Sequence, residues 1–270
     1  MVEADTTFYG LPTTDLAEAW VDRTPDGFTF DVKAYSLFTE HASAVQRFPK
    51  DLQAMFPAEL SSKKNVYRKD LPKAIVDATW STFVDALFPL HRAGKLGVIV
   101  FQFPKWVFPN SHTLTYLWEV RDRLGPYRAA IEFRNDAWMQ PSQRETTLAL
   151  LGDMGFTYIC VDEPQGFRSS VPPVAAATSA ISFVRFHGRN TEMWEKRTQT
   201  SSERFDYFYR PEELAEWVPK IQQLARQSDE MHLVMNTNNS DQGPVNIDLL
   251  GAQLQAAGLP VQPPLATTLL

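Results

Sequence analysis

Charged and amide residues recur two apart in the short apolar segments of this 270-residue chain: Glu3 with Asp5, Asp31 with Lys33, Glu132 with Arg134, Arg185 with His187, and Asn236 with Asn238. Gln102 and Asp162 stand alone in two further segments. Side chains two apart on a strand point to the same face. The residues between and beside them (Val32, Phe101, Phe103, Ile131, Phe133, Val161, Val184, Phe186 and Met235) are apolar. One face of each strand is thus built to pack, while the other carries groups that must pair, meet water or bind a ligand.

The chemistry these groups offer is limited. Glu132, Asp162 and His187 are suited to general acid/base work when burial and neighbours tune them toward neutral pH. Arg134, Arg185 and Arg189 suit a carboxylate or phosphate as a cationic fork. Gly188, within the run RFHGRN, permits close backbone approach to a ligand. Lys33 is expected to hold an anion rather than to form a Schiff base. Gln102 and Asn236 read as positioning groups. The competing reading is a core that satisfies itself, with Glu132–Arg134 and Asp31–Lys33 as internal salt bridges. A divalent metal held by Glu132, Asp162 and His187 is a weaker expectation, because no H-x-H or H-E-x-x-H spacing is present. No cofactor is therefore predicted. No G-x-S-x-G marks a serine hydrolase.

The elements that position these residues alternate along the chain. Strands are expected at Val2–Tyr9, Phe28–Ala34, Gly97–Phe103, Arg128–Arg134, Thr157–Asp162, Ile181–His187 and His232–Asn236. Helical periodicity runs through Asp15–Arg23, Lys73–Arg92 and Pro211–Arg226, and Ser142 with Glu145 predicts a capping box ahead of Leu148–Met154. Such alternation implies a mostly parallel sheet with helices outside it. A phosphate-binding glycine motif follows none of the strands. Polar residues gathered at strand C-termini favour a TIM-type (β/α) barrel over a doubly wound open sheet. Tyr35–Leu71 is expected to be strandless, with short helices and loop, and Gln165–Ala180 is a second long connection. The reading is one domain over 1–259 with a disordered tail at 260–270.

Composition narrows the partners. At 44% hydrophobic and 21% charged, the chain can bury a sizeable core. No apolar run reaches the ~18 residues of a membrane span. The net charge of −6 disfavours nucleic acid, and a single cysteine, Cys160, allows no internal disulfide. A cytoplasmic protein without a signal peptide is expected.

The segments VEADTTFYGLP, TPDGFTFDVKA, FQFP, IEFRNDAW, VDEPQG and VRFHGRN resemble the YecE-like family of uncharacterised proteins, the domain of unknown function 72, from Val2 to about Leu250. The resemblance implies a TIM-type barrel and leaves the reaction open. Its motif positions add Tyr9 and Trp138 to Glu3, Lys33, Gln102, Arg134, Arg185, Arg189 and Asn236 as expected substrate-binding residues. Members of the family usually begin with a further strand and helix. This chain is therefore expected to hold seven of eight strands, with a start placed too late favoured over a truncated chain or an impaired domain. The second of the family's paired asparagines is replaced here by Thr237.

Together these features predict an enzyme doing acid/base chemistry on a small anionic or phosphorylated molecule at the C-terminal face of the barrel. The alternatives are a ligand-binding barrel without turnover and a metal-dependent enzyme acting on nucleic acid.

Overall fold

The computed structural model describes residues 1–196 and 203–262, which form two compact units divided between Ala129 and Ala130.

In the first unit, β1 (Val2–Ala4), β2 (Phe30–Lys33) and β5 (Leu96–Phe103) pair in parallel, with Glu3 opposite Asp31 and Lys33 opposite Val100. β5 reads LGVIVFQF and is buried at every position except Gln102, the near-continuous apolar run of a strand covered on both faces. The expected first strand stops at Ala4. Thr6–Tyr9 instead forms a helical turn, in which Thr7 Oγ1 donates to the carbonyls of Ala4 and Lys33. Such hydroxyl-to-backbone bonds compete with strand pairing and end it here.

The predicted helix Lys73–Arg92 is two helices, Lys73–Ala86 and Phe88–Arg92, separated at Leu87. Pro89 has no N–H to continue the helical ladder. Tyr35–Leu71 holds short helices, as expected, and also a strand pair the sequence reading did not foresee. There β3 (Ser43–Ala44) runs antiparallel to β4 (Asn65–Val66). Phe38 stacks on Trp80 at 3.8 Å, fixing this excursion to the helix Lys73–Ala86.

The second unit contains all but the first residue of β6 (Ala129–Phe133), together with β7 (Thr157–Asp162), β8 (Ile181–Phe186) and β9 (Glu230–Met235), parallel and in that order. Asp162 lies opposite Phe186, and Phe186 opposite Met235, so the ends of β7, β8 and β9 fall level. The helix Arg144–Asp153 follows β6, but the predicted capping box is not formed: Gln143 is the N-cap residue and makes no side-chain cap. Pro211–Arg226 is again interrupted, giving Pro211–Ala215 and Val218–Ala225 with Trp217 at the break, because Pro219 cannot extend the first helix. Gln242–Ala256 is a helix that the sequence reading did not identify.

Three parallel strands in one unit and four in the other, alternating with helices, are the α/β pattern of a TIM-type barrel. No helix among the described residues is long and apolar enough to cross a membrane. Of the tail expected to be disordered, 263–270 lies outside the described residues.

Candidate functional site

The level ends of the strands in the second unit bring together two buried charge networks. The first is centred on Glu132, which is fully buried on β6. Its Oε2 accepts a 2.5 Å hydrogen bond from Arg185 Nη1, and its Oε1 lies 2.7 Å from Arg134 Nε and 3.2 Å from His187 Nε2. Burial alone would raise the Glu132 carboxyl pKa. The Arg185 guanidinium, assisted by Arg134, overrides that cost and holds it well below the usual carboxylate range.

Asn236, just past β9, determines how His187 is protonated. Its Oδ1 faces Arg185 Nη2 at 3.4 Å, which turns its Nδ2 toward His187 Nδ1 at 3.0 Å. Nδ1 must then accept, so the imidazole proton sits on Nε2, facing the Glu132 carboxylate. Burial, with Arg134 nearby, pushes the His187 pKa down to about 3, so the ring is neutral at physiological pH.

The second network surrounds Asp162 at the end of β7. Its Oδ1 accepts from Tyr209 Oη (2.7 Å) and Arg189 Nε (2.9 Å), and its Oδ2 from Trp217 Nε1 (2.6 Å) and Arg189 Nη2 (2.7 Å). Arg189 also reaches Glu216 Oε2 at 2.8 Å. The three arginines predicted to form one fork are split between the two networks: Arg134 and Arg185 share Glu132, while Arg189 is held by Asp162 and Glu216. Nor do Glu132, Asp162 and His187 converge as metal ligands. Among the described residues no group of three His, Cys, Asp or Glu is placed to hold a metal ion.

Glu163 links the chemistry of the site to the loop that follows β7. Its Oε2 is ion-paired with Arg134, and its Oε1 accepts from Val171 N at 2.7 Å. Burial pushes its pKa up to about 8, with Arg134 opposing and the Glu132 charge reinforcing the rise. Arg134 is 11% exposed, and its guanidinium lies over the Trp194 ring, 5.0 Å from the centroid. Trp194 Nε1 is buried and has no hydrogen-bond partner among the described residues.

Sequence reasoning missed Glu163, Trp194, Tyr209 and Trp217. Glu163 follows Asp162 directly in VDEP, but it lies one residue beyond the strand, out of step with the two-residue period. Trp217 fits a helical apolar stripe, and only Pro219 signals the break that turns its indole toward Asp162. Gly188 was expected to admit a ligand. Its φ of +82° and a 2.5 Å distance from a hypothetical Cβ to Tyr207 Cβ show that a side chain of the protein itself makes that close approach. Trp138 is buried and stacks on Phe133 at 4.0 Å.

The remaining predicted residues belong to the first unit. Lys33 Nζ pairs with Asp5 Oδ1 at 3.0 Å rather than with Asp31, whose Oδ1 accepts from Val98 N. Glu3 is half-buried on β1, and Gln102 is half-buried on β5. Tyr9 is 64% exposed on the helical turn, with its ring against Phe8.

A family model described as "Protein of unknown function DUF72" matches residues 1–268. The UPF0759 protein YunF of Bacillus subtilis (strain 168) is 30% identical over 258 residues, covering 93% of this chain and 83% of the relative. Among solved structures, a DUF72 family protein of Enterococcus faecalis V583 superposes with a TM-score of 0.77 at 24% identity, covering 97% of this chain and 86% of that one. A DUF72 family protein of Thermotoga maritima MSB8 superposes with a TM-score of 0.68 at 24% identity, covering 94% and 82%. These likenesses support the fold.

Proposed function

The chain belongs to the DUF72 family, and we propose that it is an enzyme acting on a small anionic or phosphorylated molecule at the strand C-termini of the second unit, with Glu163 as the group that titrates. The observation that carries this reading is the Glu163–Arg134 pair. A buried carboxyl near neutral pKa shares a guanidinium that is itself partly exposed and sits beside the unsatisfied Trp194 N–H. A substrate anion would take the place of Glu163 on Arg134 and gain the indole as a second donor. Glu163, mostly protonated near neutral pH because of its raised pKa, would keep its proton when released from Arg134 and be poised to deliver it to the substrate. In this reading Glu132, Asp162 and His187 are a positioning frame: Glu132 stays ionised, His187 stays neutral, and Asp162 already accepts from four donors. Arg185, Arg189 and Asn236 hold that frame. No metal or cofactor enters the proposal, and the protein is taken to be cytoplasmic.

The saturation of those three groups also favours a second reading, a ligand-binding protein without turnover. A thermal-unfolding screen against sugar phosphates, carboxylates and nucleotides tests both. A ligand at about 100 times its dissociation constant stabilises by about 2.7 kcal/mol. The enzyme reading expects an anion whose stabilising effect falls in Arg134→Gln, whose binding above pH 8 takes up a proton, and whose conversion stops in Glu163→Gln. Binding with no conversion in the unaltered protein supports the second reading. Stabilisation that is undiminished in Arg134→Gln for every ligand sinks both.

A further inference from the structure

We propose that a hollow of ≈ 470 Å³ on the second unit, separate from the Glu163–Arg134 pair, is a second site for a small anion of the phosphate class. Its walls include Arg144, Arg168, Gln165, Ser170 and Asp136. Both arginines are uncommitted to carboxylates. The Arg144 guanidinium makes only long contacts of 3.4 Å to the Met139 carbonyl, and no carboxylate engages the exposed Arg168 among the described residues. The single acid, Asp136, accepts from Gln140 Nε2 at 3.1 Å. Two cations against one carboxylate leave a net positive hollow in a protein whose overall charge is −6.

An independent observation points the same way. Ser170 is 4% exposed and lines the hollow, and its Oγ has no hydrogen-bond partner among the described residues. A buried hydroxyl left unpaired is costly, and an anion's oxygen would accept from it. The helix Arg144–Asp153 also begins at this wall without a side-chain cap, though its first amide, Arg144 N, donates to Gln140 O at 2.9 Å.

The loop carrying Arg168 and Ser170 is held in place before any ligand arrives. Gln165 Nε2 donates to the carbonyls of Glu163 and Val171, Ser170 N donates to Phe167 O, and the Arg168 carbonyl accepts from Asp136 N. A site whose groups are already ordered binds without a large ordering cost. Phosphate suits it because two guanidiniums and a hydroxyl match an oxyanion with several acceptor oxygens.

The test is a calorimetric titration with inorganic phosphate at constant ionic strength, using the full chain. Saturable binding is expected. Arg168→Ala, at an exposed position, should weaken it about tenfold, and Asp136→Asn should tighten it. Arg134→Gln should leave it within about twofold. Binding that is indifferent to Arg168→Ala and Asp136→Asn overturns the proposal, as does binding abolished by Arg134→Gln alone. Absence of saturable binding up to about 10 mM overturns it too. The Arg134 arm separates this site from the proposed active site, so each can fail alone.

Discussion

Asn236 sets the tautomer of His187. Its amide is turned by Arg185 so that Nδ2 meets the imidazole Nδ1, and the ring proton is left to face Glu132. In Asn236→Asp this donor becomes an acceptor, so the imidazole gains a reason to carry a second proton. The expected result is an upward shift of the His187 titration from about 3, read from its ring resonances by NMR. An unmoved titration would show that Asn236 does not control the ring.

Glu163 and His187 predict a specific dependence of stability on pH. The folded-state pKa of Glu163 is raised from 4.5 to about 8, so its contribution is complete below the unfolded value and is lost as pH rises through 8. The pKa of His187 is lowered from 6.5 to about 3, so its neutral burial destabilises the fold progressively as pH falls below 6.5. The two effects oppose each other between 4.5 and 6.5. Above 6.5 Glu163 acts alone, and stability should fall toward pH 8 at no more than about 1.4 kcal/mol per pH unit. Denaturant titrations of Glu163→Gln should show that slope flattened.

Glu132 answers for two cations, one of them the fully buried Arg185. Glu132→Gln keeps the volume but removes the charge, and should destabilise by about 3–5 kcal/mol. The double substitution Glu132→Leu with Arg185→Leu should cost less than the sum of the two single ones, a coupling that a denaturation cycle measures directly. Strict additivity would mean the pair is not a unit.

Gly188 has a left-handed backbone conformation and touches Tyr207. Gly188→Ala should destabilise by about 1–3 kcal/mol from φ strain and steric conflict together. Tyr207→Ala keeps the Cβ that causes the conflict and should bring no relief, whereas Tyr207→Gly should recover part of the loss in thermal unfolding.

The strands were legible because a buried parallel strand announces itself. β7 matches its expected span, and β5 and β8 differ from theirs by a residue at one end. The helix breaks at Leu87 and Trp217 were less visible, since the apolar stripe runs on through both and only Pro89 and Pro219 disagree with it. At the site, the two-residue period located Glu132 and Arg185 on their strands and Arg134 and His187 one residue past the ends of the same strands, and the four form one network. It could not separate a group that reacts from one that is saturated, because that depends on how many donors reach each oxygen. Glu163 escaped for a related reason: its role comes from burial and from the fold of the loop up to Val171, neither of which a local pattern encodes.

The donors to Asp162 all come from later in the chain: Arg189 is 27 residues downstream, Tyr209 is 47 and Trp217 is 55. A nascent chain that has emerged only as far as β7 therefore carries an aspartate with no means of being buried. The end of that strand must stay wet until the ribosome has released the segment around Trp217, and the second unit can dry out only then. Stop codons placed between Arg189 and Trp217 should accordingly yield chains in which β7 and β8 remain open to protease, even though both strands have been fully synthesised.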